Sequence, residues 1–63
     1  MTINHTNKDF AAGYAAVKEE IAGMGFAAAR SKFNMDNPVG QGFSSTAARM
    51  YAEGGMQALV EAA

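Results

Sequence analysis

Cysteine and tryptophan are absent from this chain, and proline and histidine occur once each. Without Cys there is no disulfide to staple the fold and no thiolate to hold a metal. A single His, His5, leaves nucleophilic catalysis short of parts. A serine nucleophile needs a base within reach and a third group to orient that base. Ser31, Ser44 and Ser45 have no such partners nearby in sequence. Excess positive charge is missing too: five Lys or Arg face six Asp or Glu, a formal charge of -1. Proteins held on nucleic acid through phosphates usually carry a net basic surface, so this balance disfavours RNA or a ribosome as partner. The longest apolar run, Ile21–Ala29, is nine residues long and contains two Gly. That is well short of the roughly 20 residues needed to span a bilayer. The N-terminus lacks the basic region and following apolar stretch of a secretory signal. The expectation is a soluble cytoplasmic protein that is not an enzyme and uses no cofactor or metal.

What the chain does contain is helical periodicity. With 63 residues it makes at most one domain. Thr6 or Asn7 can cap a helix, and Asp9 then sits in the first turn, where the helix dipole favours an anion. Phe10, Tyr14, Val17, Ile21 and Met24 follow at spacings of 4, 3, 4 and 3, an apolar seam at helical period. Ala22, Phe26, Ala29 and Phe33 then form a second helical series. Phe26 falls two residues after Met24, almost on the opposite side of a continuous helix. Such a helix would be apolar on two faces. The preferred alternative is a break near Gly23 and Gly25, two residues that together cost about 2 kcal/mol in a helix interior. A break would turn Phe26 and Phe33 back onto the core.

Asn34 to Phe43 reads as a loop, because Pro38 disfavours helix at Asn37 and Gly40 and Gly42 follow. Ser44 or Ser45 then caps a last helix, with a seam of Ala47, Met50 or Tyr51, Gly54, Ala58 and Ala62, and Leu59 beside it. Gly54-Gly55 in mid-helix suggests close approach of another backbone. Met24, Met50 and Met56 fit core positions, whereas Met35 falls in the loop. No segment alternates long enough to be a strand. The fold class is therefore all-α: a small helical hairpin or three-helix unit. Its helices lie near residues 7–22, 25–33 and 44–62, its loop at 34–43, and residues 1–6 fray.

Candidate chemistry is thin. Glu19 and Glu20 are adjacent and diverge by about 100° on a helix, poor geometry for a carboxylate dyad. His5 and Asp9 are only two ligands. Asn34-Met35-Asp36-Asn37 fails as a calcium loop, because Pro38 takes a ligand position and no acid closes it. Gly40-Gln41-Gly42 lacks the strand and Lys of a phosphate cradle. Arg30, Lys32 and Arg49 cluster around the loop in sequence, with Phe33 and Phe43 among them. Basic groups interleaved with aromatics can contact RNA, but core aromatics with solvated cations are the commoner arrangement.

From Gly25 to Ala62 the chain carries Gly25-Phe26-Ala27-Ala28, then Asn37-Pro38, then Tyr51-Ala52-Glu53-Gly54-Gly55-Met56-Gln57-Ala58. This order resembles the ribosome modulation factor family, short bacterial and phage proteins. The resemblance implies two helices joined by a loop and ribosome binding that promotes hibernation. The chain differs from that family in its slightly acidic charge, in Val39 after the proline and in Met56 after the glycine pair.

Three functional expectations follow. The first is a small modulator or inhibitor that acts through protein–protein contacts, of the kind phages direct at host machinery. The second is a ribosome-binding hibernation factor, and the third a small structural subunit that forms homo-oligomers. The residues expected to meet a partner are Phe26, Arg30, Lys32, Phe33, Met35, Asn37, Pro38 and Arg49.

Overall fold

The structure is a computed structural model and describes residues 7–37 and 42–63. It is all-α, with three helices and no strand among the described residues: α1 (Lys8–Met24), α2 (Phe26–Asp36) and α3 (Thr46–Ala62). The expectations for residues 1–6 and for Pro38 lie outside the described residues.

Capping residues set the helix starts. The Asn7 side chain accepts hydrogen bonds from the Asp9 and Phe10 amides, both at 2.9 Å. Asp9 then stands in the first turn of α1, where the positive end of the helix favours it. Ser45, rather than Ser44, caps α3 and accepts from the Ala48 amide at 3.1 Å. The last helix thus begins at Thr46, two residues later than expected.

The break between the first two seams is a single residue. Gly25 adopts φ 91° and ψ 159°, a combination that costs an L-residue dearly and glycine little. Gly23 stays inside α1, so this helix runs to Met24 and not only to residue 22. A lone glycine is tolerated within a turn whose other hydrogen bonds are made. The loop expected from Asn34 starts later as well, because α2 continues to Asp36. Proline restricts only the residue before it. Asn34, Met35 and Asp36 therefore remain helical, and Asn37 ends the helix by donating its backbone N–H to the Phe33 carbonyl at 2.9 Å.

Packing is dominated by α1 against α3, while α2 rests on α1 and touches α3 more sparsely. Glycine makes the first contact possible. A β-carbon on Gly13 would fall inside the Tyr51 carbonyl oxygen and 2.8 Å from its carbon. A β-carbon on Gly54 would meet the Phe10 carbonyl in the same way and stand 2.9 Å from the Tyr14 nitrogen. The two backbones touch at both points. Gly55 leaves a different space, since its missing β-carbon would lie 2.8 Å from both Phe33 Cε1 and Val17 Cγ2. The expected close backbone approach is thus made within the chain at Gly54, while Gly55 meets side chains.

The core gathers Val17, Phe33, Ala52, Ala58 and Leu59, with Tyr14, Ile21 and Phe26 packed against it. Phe10 and Ala29 are also buried. The inward face of α3 is Ala52, Gly54, Gly55, Ala58 and Leu59. This displaces the expected seam, because Ala47, Tyr51 and Ala62 are exposed. Met56 is 55% and Met24 46% exposed, so neither fills the core position expected of it. The reason is geometric. Small residues must face α1 for the backbones to meet, and Met56, two residues beyond Gly54, then points away.

Gly13→Ala and Gly54→Ala should each cost about 3 kcal/mol or more, because backbone cannot yield as a side-chain tip does. Gly23→Ala meets nothing within 4 Å and should stabilise by about 0.5–1 kcal/mol. Urea unfolding of the three variants checks this. Equal effects at all three sites would contradict the packing described.

Candidate functional site: an open cleft between the three helices

An open cleft of about 550 Å³ lies where α1, α2 and the start of α3 diverge. Val17 and Phe33 contribute apolar lining, and Phe43 and Tyr51 add two aromatic rings. Those rings are 49% and 47% exposed, so they stand at the surface and not in the core. Both belong to the α3 side. Tyr51 is there because its own carbonyl is pinned against Gly13, which fixes the backbone that carries the ring.

Charge lines the opposite wall. Lys32 Nζ lies 3.0 Å from Glu20 on α1 and 3.2 Å from Asp36 one turn along α2. Hydrogen bonds to Glu20 and then to Asp36, with the charges of Asp36 and Glu20 adding, raise the Lys32 ammonium above its usual value. Two carboxylates around one ammonium leave this wall with a net charge of -1. Asn37 completes it, turning its side-chain Nδ2 back to donate to the Phe33 carbonyl at 3.1 Å.

Of the residues expected to meet a partner, the fold brings Lys32, Phe33 and Asn37 together at this cleft. Phe33 does so from the core, at 9% exposure. Phe26 is half-buried against the same core. Met35 is 78% exposed but does not line the cleft. Arg30 is exposed and makes no ion pair among the described residues. It lies two residues from Lys32, roughly 200° around the helix, so the two cations face different ways. Arg49 pairs with Glu53 at 2.8 Å on α3. The three cations grouped by sequence therefore do not form one free basic patch.

Glu20, Asp36, Phe43 and Tyr51 line the site but were not among the residues expected from sequence to meet a partner. Glu20 read as a solvated charge. Its pairing with Lys32 was recoverable once the break is placed at Gly25, because a helix folded back there pairs positions nearly equidistant from the hinge. Nothing in the sequence distinguished Tyr51 as exposed.

A second tether lies at the far end of α3. The Tyr14 hydroxyl donates to the Glu61 carboxylate, which also accepts from Gln57 Nε2 at 3.0 Å. Lys18 Nζ sits 5.4 Å from the centre of the Tyr14 ring, a cation–π distance. No group of three His, Cys, Asp or Glu suited to a metal occurs among the described residues. No helix there is long and apolar enough to cross a membrane. Comparison of the chain with protein-family models, curated proteins and solved structures finds no match.

The Glu61 hydrogen bond, then burial, then the Glu61 charge raise the Tyr14 hydroxyl above its usual 10.0. A folded state that holds this proton more tightly is stabilised below the unfolded value and loses that stability as pH rises through the folded one. Lys32 acts in the same direction. Stability in urea should therefore fall as pH is raised past about 10, and Tyr14→Phe should make that fall shallower. An unchanged alkaline profile in Tyr14→Phe would show that the tether does not hold the two helices.

Proposed function

We propose that this protein is a non-enzymatic modulator that binds a protein target through the cleft, of the kind phages direct at host machinery. The observation that carries this reading is the pair of half-exposed rings, Phe43 and Tyr51, set across from the Glu20–Lys32–Asp36 wall. Aromatic side chains in a partly formed apolar hollow are the usual anchors of protein interfaces. A wall with two carboxylates to one ammonium favours a segment that presents an apolar side chain beside a basic one. The hollow is partly open to solvent, which suits a peptide element of one or two anchors.

Ribosome binding is the alternative that the resemblance to the ribosome modulation factor family suggests. Its support is the two-helix arrangement of α2 and α3 around a loop. Against it, Lys32 and Arg49 both hold carboxylates, and the chain is slightly acidic. Phosphate-driven binding loses affinity steeply with salt, so sedimentation with ribosomes at low and raised salt separates the two readings. The third reading, a homo-oligomeric subunit, loses the support of the Gly54-Gly55 notch. Phe10, Tyr14, Val17 and Phe33 of the same chain fill it.

Photo-cross-linking tests the leading reading. A photoreactive phenylalanine at position 43 should capture one protein in stoichiometric amount from lysate of the cell that carries the gene. The same probe at Ala27, exposed and outside the cleft, should not. Tyr51→Asp should cut the capture by about tenfold or more, the loss expected for an interface anchor. Equal capture from both positions, or none from position 43, would sink the cleft as a binding site.

A further inference from the structure

We propose that Lys32 is a displaceable occupant of the cleft, holding the place that an arginine of the partner segment takes on binding. This rests on the cleft being the binding site, and it adds which partner side chain is read and by which groups. Lys32 Nζ bridges two helices, 3.0 Å from Glu20 Oε2 on α1 and 3.2 Å from Asp36 Oδ2 on α2. Each carboxylate thus engages one oxygen. Glu20 Oε1 and Asp36 Oδ1 accept no hydrogen bond among the described residues. Asn37 donates through Nδ2 to the Phe33 carbonyl, which leaves its Oδ1 as a third acceptor. All three residues line the cleft. The charged side chains lining it are two acids and one base, so a second cation is drawn in and not repelled.

Lys32 is held weakly enough to leave. Its side chain and that of Asp36 are 48% and 61% exposed, so water screens the pair. The order Lys32 then Asp36 along α2 is the weaker one for charges a turn apart, because it sets the acid toward the negative end of the helix. Fixing a long flexible stem between two carboxylates also costs rotamer freedom, which release returns. Glu20 is the better seat for an incoming cation, since its side chain is only 27% exposed and its attraction is less screened.

A guanidinium suits the vacated place better than the ammonium does. Its planar fork offers more N–H donors and matches carboxylates in pairs of bonds. Its flat face stacks on aromatic rings, and Phe43 and Tyr51 supply such rings half-exposed in the same cleft. A partner lysine would meet an equal competitor in Lys32, whereas an arginine has these further contacts to win the exchange. An apolar side chain beside that arginine meets Val17 and Phe33. Lys32, expected from sequence to touch the partner, therefore acts by leaving. It neutralises one carboxylate in the free chain and sets a threshold that weaker cations do not pass.

Two short probes test this: a capped Leu-Arg amide and its neutral isostere, a capped Leu-citrulline amide. Each is titrated into the full chain at low salt while the ring-proton resonances of Phe43 and Tyr51 are followed. The arginine peptide should shift both rings and bind about tenfold more tightly than the citrulline peptide. Lys32→Met keeps the apolar stem and removes the competitor, so it should tighten arginine binding by about tenfold. Adding Glu20→Gln and Asp36→Asn to that variant should abolish the preference for arginine. Lys32→Gln repeats the measurement where the Met variant loses its helical circular dichroism. Unchanged or weaker arginine binding in a folded Lys32 variant would make Lys32 an ordinary contact and overturn the proposal. Equal shifts from the two peptides would overturn it too, while leaving the cleft standing as a binding site. No shift from either peptide also refutes it, and the cross-link from position 43 then judges the cleft separately.

Discussion

The carbonyl oxygens of Phe10 and Tyr51 stand where the β-carbons of Gly54 and Gly13 would be. This reciprocal contact of backbone on backbone is the constraint from which the remaining structure follows. It draws α1 and α3 closer than helices separated by side chains can come. It also dictates that α3 present Ala52, Gly54, Gly55 and Ala58 inward. The hollow over Gly55 then accepts Val17 from α1 and Phe33 from α2. The position of α2, and with it the cleft, depends on a contact in which α2 takes no part.

A core built this way is thin. Its large members are few, and among the described residues no large side chain is completely buried. The polar ties are peripheral. The Lys32 and Arg49 ion pairs lie in solvent, where such pairs contribute little to stability. The fold therefore holds by shape at the helix crossing more than by charge. The same economy leaves Phe43, Tyr51, Met24, Met35, Met56 and Val60 at the surface. Binding a partner would supply the burial that the interior does not.

The helical class, the break at Gly25 and the close approach at Gly54 were legible in the sequence. Each rests on a residue whose physics is local: apolar spacing, a glycine between two seams, and a glycine pair in a helix interior. The partner of the approach was not legible. Gly13 sits in an Ala-rich stretch and carries no signal until α3 is laid across it. The orientation of α3 was misread for the same reason, because Met50, Tyr51 and Met56 carry the stronger hydrophobic signal while backbone proximity gives the inward face to Ala and Gly. At the cleft, Lys32, Phe33 and Asn37 were found from sequence. Glu20, Asp36, Phe43 and Tyr51 were not, since their roles depend on how far α2 folds back.

Proton-to-proton contacts at the crossing are the most direct measure of this account. In a nuclear Overhauser experiment on the folded chain, the α-protons of Gly13 should show cross-peaks to Tyr51, and those of Gly54 to Phe10 and Tyr14. Helices held apart by side chains would give cross-peaks from side-chain protons at these positions and none between the α-protons. That result would contradict the claim that a glycine crossing organises the fold.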